Sequence, residues 1–206
     1  MKKYLGFTLT TLPLIFLSTI CSFSQVDEKE KKIGFHYSLP YINIFNLRPP
    51  TENRRIINTG FWGFELGLDY YRSKNTFFSL SGSANTDFFL PVPASPGIDS
   101  EYEIMSSIYL TTAYNKLFKR WLFSYGLTFG NNKWSLRVPE EVIATTSLEP
   151  RSESYAALGV QGQVNYFIKG KFYSGVIYRP TFYRFNVDPG GQYEHLISIT
   201  IGMQIN

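Results

Sequence analysis

"WGFELGLDY", residues 62–70, alternates between large apolar side chains and small or acidic ones. A period of two places successive side chains on opposite faces of a β-strand. One face of this segment is apolar throughout, with Trp62, Phe64, Leu66, Leu68 and Tyr70. The other face contains only glycine and acidic residues, Gly63, Glu65, Gly67 and Asp69. The segment therefore predicts a strand with one apolar face and one polar face.

The same alternation recurs along the rest of the chain, and no helical periodicity is found after residue 24. The pattern predicts eight strands: Ile33–Phe45, Gly60–Arg72, Thr76–Phe88, Tyr102–Asn115, Trp121–Trp134, Ser154–Ile168, Phe172–Phe185 and Tyr193–Ile205. Each reaches the roughly nine to eleven residues with which a tilted strand crosses a bilayer. In the last strand, Ile197, Ile199, Ile201, Met203 and Ile205 are expected to face outward.

The composition explains where such strands would be stable. Aromatic residues make up 17% of the chain and charged residues also 17%, against about 25% charged in an ordinary soluble domain. After the first twenty residues, no apolar run is long enough for a membrane helix. A transmembrane β-barrel satisfies both facts, because lipid-facing apolar residues alternate with polar residues that face the lumen. The acidic faces then point inward, since a carboxylate in lipid is costly.

The connections between the predicted strands alternate in length. The longer ones are residues 46–59, 89–101, 135–153 and 186–192, and the short ones are residues 73–75, 116–120 and 169–171. This alternation is typical of outer-membrane barrels, which have long outer loops and tight periplasmic turns. Aromatic residues are expected at both membrane interfaces. On the outer rim these are Phe45, Trp62, Phe88, Tyr102, Trp134, Tyr155, Tyr183 and Tyr193, and on the periplasmic rim Tyr70, Phe78, Tyr114, Trp121, Tyr166 and Phe172.

The N-terminus has the three zones of a secretory signal: Lys2 and Lys3, an apolar run over residues 5–20, and small residues ending at Ser24. A retained helix is the alternative, but the run is short for crossing lipid. A lipid anchor at Cys21 is a third reading, opposed by the bulky residue before it. We predict a signal peptide at 1–24, a periplasmic tail at 25–32 and a barrel domain at 33–206. The mature chain then has no cysteine, and its net charge falls from +4 to about +2, which excludes a basic nucleic-acid surface.

Three stretches resemble a known family: residues 22–25 at the end of the signal, the glycine and aromatic repeat "YGLTFG" at 125–130, and the closing strand at 195–206. The chain is similar over nearly all of its mature length to the porin-family outer-membrane β-barrel proteins of the small OmpA and OmpX type. The resemblance implies an all-β, eight-stranded, antiparallel, up-and-down transmembrane β-barrel. It also implies a location in the outer membrane of a Gram-negative cell.

The predicted lumen faces contain six ionisable residues: His36, Glu65, Asp69, Glu103, Arg179 and Glu194. An eight-stranded barrel is just wide enough to be filled by side chains, so these charges must pair or be hydrated. We predict a structural network of ion pairs and hydrogen bonds. A gated ion path, with Arg179 held by Glu65 or Glu103, is the alternative.

Some small barrels are lipid A hydrolases with a His and a Ser on one strand face, where the His can activate the Ser hydroxyl as a nucleophile. His36 and Ser38 have that spacing but are predicted to face the lumen, away from lipid. His195 and Ser198 are three apart and fall on opposite faces. No catalytic, cofactor or metal site is predicted.

The first long loop contains Arg48, Arg54 and Arg55, which are candidates for lipopolysaccharide phosphates because guanidinium groups bind phosphate through paired hydrogen bonds. Solvated loop charge is the alternative. The sequence favours a monomeric, non-enzymatic barrel with a structural, adhesion or partner-binding role. Its predicted partners are outer-membrane lipid, lipopolysaccharide and other envelope proteins. The alternatives are a narrow channel for ions or small solutes and, third, a lipid A hydrolase.

Overall fold

The computed structural model describes residues 32–52, 54–87, 102–138 and 149–205. Nine antiparallel strands account for most of them: β1 (Ile33–Leu47), β2 (Ile56–Phe61), β3 (Gly63–Ser73), β4 (Thr76–Thr86), β5 (Tyr102–Phe118), β6 (Trp121–Arg137), β7 (Arg151–Lys169), β8 (Phe172–Arg184) and β9 (Gly190–Ile205). Within these ranges no helix has the length and apolarity needed to cross a membrane. The predicted signal peptide, most of the tail and Phe88 of the predicted outer rim lie outside the described residues.

The strands close into a ring. From β3 onward each strand pairs with the next in sequence, and β9 pairs back onto β1. β2 and β3 lie along the same side of β1, opposite residues 42–47 and 33–38 respectively. They form one barrel strand interrupted at Trp62, whose φ of 87° breaks the extended backbone. The nine segments are therefore eight barrel strands, which confirms the predicted antiparallel up-and-down barrel.

The segment β2 corrects one sequence-based boundary. Residues 46–59 are predicted to be a loop, but the chain is already paired with β1 from Leu47 opposite Ile56. Ile56 is 5% exposed and packs in an apolar cluster inside the barrel. Burial of that side chain stabilises the pairing of a six-residue strand that is too short to be recognised from its own alternation.

The predicted facing of the strands holds in most of the barrel. Leu66, Leu127 and Ile201 are about half exposed, whereas the inward-facing Thr128 and Thr200 are almost fully buried. We call the outward-facing apolar residues the belt: Phe35, Leu39, Phe64, Leu66, Leu68, Leu80, Leu110, Phe123, Leu127, Val160, Val164, Val176 and Ile201. Met203 keeps the outward phase, opposite Tyr37 and Phe172, but is only 8% exposed, because neighbours that include the Tyr37 hydroxyl at 3.9 Å cover it.

Three aromatic residues predicted for the outer rim lie inside the barrel instead. Phe45, Trp134 and Tyr155 are each 0% exposed. In β1 an irregularity between Pro40 and Ile42 shifts the alternation, so that Phe45 turns inward. In β6 and β7 the alternation runs on without a break, which places Trp134 and Tyr155 on the polar face of their strands. The prediction for these three residues was therefore wrong: for Phe45 because the sequence did not reveal the irregularity, and for Trp134 and Tyr155 because residue type was weighed above strand phase.

The two ends of the barrel differ. The turn end has three tight connections, around residues 74–75, 119–120 and 170–171, together with the start of β1 and the end of β9. At the opposite loop end, β5, β6 and β7 continue past the belt. We call this part the projecting sheet: residues 102–107, 130–137 and 151–156. Its outward face is mostly polar, with Ser106, Asn131, Lys133, Ser135, Ser152 and Ser154.

Candidate functional site

The interior nearer the turn end is built around Arg179, whose side chain is fully buried. Its Nη2 donates to Glu65 Oε2, and its Nε donates to Gln161 Oε1 at 2.7 Å. The guanidinium also lies 5.5 Å from the ring centroid of Tyr109. Glu65 is 1% exposed. A buried carboxylate and a buried guanidinium of this kind stabilise each other's charge only while both are present.

His36 and Asp69 extend this network toward the turn end. Nδ1 of His36 lies 2.8 Å from Asp69 Oδ1, and its Nε2 lies 3.9 Å from Glu65 Oε1. Gln204 donates from Nε2 to the other Asp69 oxygen at 3.1 Å. Four of the six predicted lumen residues are thus brought together. The cavity beside His36 measures about 20 Å³, roughly the room of one water molecule.

A second buried cluster lies nearer the loop end and centres on Glu194, which is 2% exposed. It accepts hydrogen bonds from Arg184 Nη2 at 3.0 Å, Tyr155 Oη at 2.8 Å and Asn132 Nδ2 at 3.1 Å. The backbone N–H of Arg48 also donates to it, at 2.8 Å. Glu194 therefore lies apart from the Arg179 network and has a cation of its own.

Sequence reasoning missed Arg184 as the partner of Glu194. Strict alternation from Arg179 and Thr181 would turn residue 184 outward, but the strand has an irregularity between Thr181 and Tyr183. The extra residue returns Arg184 to the interior, where its Cζ lies 4.1 Å from the ring centroid of Tyr155. The only signal in the sequence is the pair of adjacent aromatics at 182–183, which interrupts the alternation.

An apolar layer fills the interior at the loop half. It contains Phe45, Leu47, Ile56, Met105, Tyr109, Trp134 and Leu196, all nearly or fully buried. This half of the interior therefore combines an apolar layer with the buried ion pair of Glu194 and Arg184. The apolar side chains pack against one another across the lumen.

Glu103 and the three loop arginines lie at the loop end. Arg54 Nη2 is 2.6 Å from Glu103 Oε1, and its Nε is 3.6 Å from Glu52 Oε2. Arg55 lies over the ring of Tyr193 at 5.9 Å. Arg48 has an exposed side chain, while its backbone binds Glu194 and Arg184. Two nearby carboxylates thus compensate Arg54, and lipopolysaccharide binding by these residues stays a prediction.

The two histidine and serine pairs do not form a nucleophile at the barrel surface. His36 is bound to Asp69 inside the barrel, and Ser38 is 0% exposed. Ser198 donates to Asn43 Oδ1 at 2.7 Å, while His195 packs between the rings of Tyr178 and Tyr193. Among the described residues no group of three or more His, Cys, Asp or Glu is placed to hold a metal ion.

Comparison with known proteins bears on the fold. No family model and no curated protein sequence matches the chain. The crystal structure of Ail, the attachment invasion locus protein of Yersinia pestis, matches at a TM-score of 0.54 and 11% identity, covering 85% of this chain and 99% of that chain. The chain has the fold of the small eight-stranded outer-membrane barrels.

Two further barrel structures are similar at the same low identity. Ail in complex with the heparin analogue sucrose octasulfate matches at a TM-score of 0.50 and 10% identity, covering 85% of this chain and 100% of that chain. Neisserial surface protein A has a TM-score of 0.48 and 12% identity, covering 85% and 97%. What this barrel has in common with Ail is architecture, since so few residues are identical.

Proposed function

We propose that this chain is an outer-membrane protein of the Gram-negative envelope, inserted after removal of residues 1–24, whose role is non-enzymatic binding of a partner at the loop end. The belt supports the membrane location, because so many exposed apolar side chains on one closed surface are stable only in lipid. The apolar layer supports a role outside the lumen. The observation that carries the binding role is the projecting sheet.

The two edges of the projecting sheet are unlike each other in the described part of the chain. The β5 edge is capped by Asp87, whose Oδ2 accepts the Met105 N–H at 2.7 Å and whose N–H donates to the Met105 carbonyl at 3.0 Å. The β7 edge has no such cap, because pairing with β8 begins only at Ala157 opposite Arg184. Unpaired strand edges are templates for the backbone of another chain.

The direction of the free groups on β7 follows from Ala156. Its carbonyl accepts the Phe185 N–H at 3.0 Å, and its own N–H donates to Asn186, so both groups point away from β6. Because these directions alternate along an antiparallel strand, Ser152 and Ser154 present their N–H and carbonyl on the same free side. The partner that fits this edge is an extended peptide segment of another protein.

A substitution at Ser154 tests the edge. Ser154→Pro removes one free-edge N–H without breaking the ladder to β6, since proline is tolerated on strand edges. We expect at least a tenfold loss of the protein partner recovered in pull-downs from native outer membrane, about 1.4 kcal/mol of binding free energy. Ser154→Ala is the matched control, because it loses the same hydroxyl bond to Asn131 but keeps the N–H. Equal recovery with both variants would refute strand addition at this edge.

The membrane location has its own test. Leu127 lies in the belt and is 62% exposed, while Asn131 is on the same face of β6 beyond the belt. We expect Leu127→Arg to lower the free energy of unfolding in phospholipid vesicles by about 2–4 kcal/mol, against about 0–1 kcal/mol for Asn131→Arg. Urea titration gives both values. Equal costs, or a purified protein that stays in solution without detergent, would rule out the membrane reading.

The channel and hydrolase alternatives have little support in the geometry. Ions would have to pass the apolar layer, and a lipid substrate would have to reach Ser38 through the barrel wall. We therefore expect no ion conductance when the protein is reconstituted in planar bilayers. We also expect the purified protein to leave the acyl chains of lipid A uncleaved.

A further inference from the structure

The two ends of the barrel differ in charge as well as in shape. Among the described residues, the turn end contains no acidic side chain apart from the buried Asp69 of the interior network, and it contains eight cations: Lys32, Arg72, Lys74, Lys116, Lys119, Arg120, Lys169 and Lys171. The described residues of the loop end contain seven of each sign. Within the described ranges these like charges repel one another, and an anionic partner at the turn end would relieve that repulsion.

Four of these cations line one cleft of about 390 Å³. Lys119 and Arg120 come from the turn between β5 and β6, and Lys169 and Lys171 from the turn between β7 and β8. Two backbone hydrogen bonds hold these turns in place: Phe167 N–H donates to the Arg120 carbonyl at 2.8 Å, and Gln204 N–H donates to the Lys171 carbonyl at 3.0 Å. The cleft is thus a fixed feature of the barrel end.

The turn between β5 and β6 retains a cation where the backbone favours glycine. Lys119 has a φ of 57°, which lies in the left-handed region. In the turn between β7 and β8 the same φ of 57° is adopted by Gly170, which has no side chain and is not strained there. A left-handed conformation is unfavourable for a residue with a side chain. Lysine at this position therefore opposes local stability, while its side chain lines the cleft.

The walls of the cleft indicate what kind of anion it takes. The cleft lies at the rim of the barrel: Ile168 lines it and is exposed on the lipid-facing side, whereas Phe167 and other inward-facing side chains line its inner part. Next to it on that side lie the exposed rings of Trp121 and Phe172, and Lys119 Nζ is 5.7 Å from the ring centroid of Phe118. Aromatic rings followed directly by cations mark headgroup depth. A ligand with a phosphate and an apolar tail matches these neighbours.

We propose that this cleft binds the phosphate group of an anionic glycerophospholipid from the adjacent membrane leaflet. Lys119, Arg120, Lys169 and Lys171 hold the phosphate, and the acyl chains lie along Ile168 and Phe172. The inference depends on the proposed membrane location. Free inorganic phosphate has the same charged group but lacks the tail, so it binds more weakly.

The test is native mass spectrometry of the protein released from bilayers of phosphatidylglycerol and phosphatidylethanolamine. One variant combines Lys119→Gln, Arg120→Gln, Lys169→Gln and Lys171→Gln. The matched control removes four exposed loop-end cations, through Arg48→Gln, Lys133→Gln, Arg137→Gln and Arg151→Gln. We expect the wild type and the control to retain phosphatidylglycerol preferentially, and the cleft variant to retain at least about tenfold less.

Two outcomes would overturn the proposal: no preference for phosphatidylglycerol in the wild type, or an equal loss in the cleft variant and the control. Inorganic phosphate titrated in neutral detergent, followed by the amide shift of Gly170, distinguishes the two sources. If inorganic phosphate bound as tightly as phosphatidylglycerol, the cleft would be assigned to free phosphate and a lipid site would be refuted. Heat-modifiable migration in gels reports barrel insertion separately from lipid binding. A protein that fails to insert is therefore distinguished from one that inserts but does not bind the lipid.

Discussion

Arg179→Leu is expected to lower the free energy of unfolding by about 3–5 kcal/mol, because it leaves Glu65 buried without its cation. Glu65 is 1% exposed, and His36 Nε2 at 3.9 Å is beyond hydrogen-bonding distance of its Oε1. Gln161 Oε1 also loses its shorter hydrogen bond and keeps the one from Thr111 at 3.3 Å. Urea titration of the protein folded in phospholipid vesicles measures the change.

The double variant Arg179→Leu with Glu65→Leu separates the ion pair from packing. Removing both charges leaves no unpaired ion, so the double variant should recover most of the loss. Arg137→Leu is the surface control, since Arg137 is exposed at the end of β6 and should change stability by no more than about 0.5 kcal/mol. If the single and double variants were equally unstable, the charge network would not be what stabilises this half of the interior.

Trp134→Ala is expected to destabilise the barrel by about 3–5 kcal/mol, the usual cost of emptying a buried aromatic site. Its side chain is 0% exposed and packs in the apolar layer with Met105 and Leu196. Trp121→Ala is the matched control, because Trp121 faces outward, is 46% exposed and packs against the tilted ring of Tyr166, with the ring centroids 4.9 Å apart. Lipid can fill that space, so the control should lose only about 1 kcal/mol.

The comparison of the two tryptophans also tests whether residue 134 lies at the headgroup rim or inside the lumen. A side chain at the rim stays in contact with lipid and solvent, whereas one in the lumen does not. Equal costs of Trp134→Ala and Trp121→Ala would place both at the membrane interface. A large cost for Trp134 alone supports an interior closed by side chains.

The candidate site was predicted in part. His36, Glu65, Asp69 and Arg179 were selected because they fall on the polar face of strands whose other face is apolar, and the structure brings all four together. Glu194 is also inside but belongs to a different cluster. Its cation, Arg184, was not identified, because a local irregularity in β8 changes which side of the strand it is on. The cleft at the turn end was not predicted either, since its residues come from two turns far apart in sequence.

The sequence by itself determined the strand alternation, the closed antiparallel barrel and the apolar outer surface. These follow from a period of two and from the cost of placing carboxylates in lipid, both of which are local or depend on residue type alone. Only the tertiary structure decided where the alternation slips, at Pro40, Trp62 and residue 182, and which side chains then meet across the lumen. A one-residue slip reverses every later side chain of a strand, and its position depends on packing between strands that the pattern of one strand does not contain.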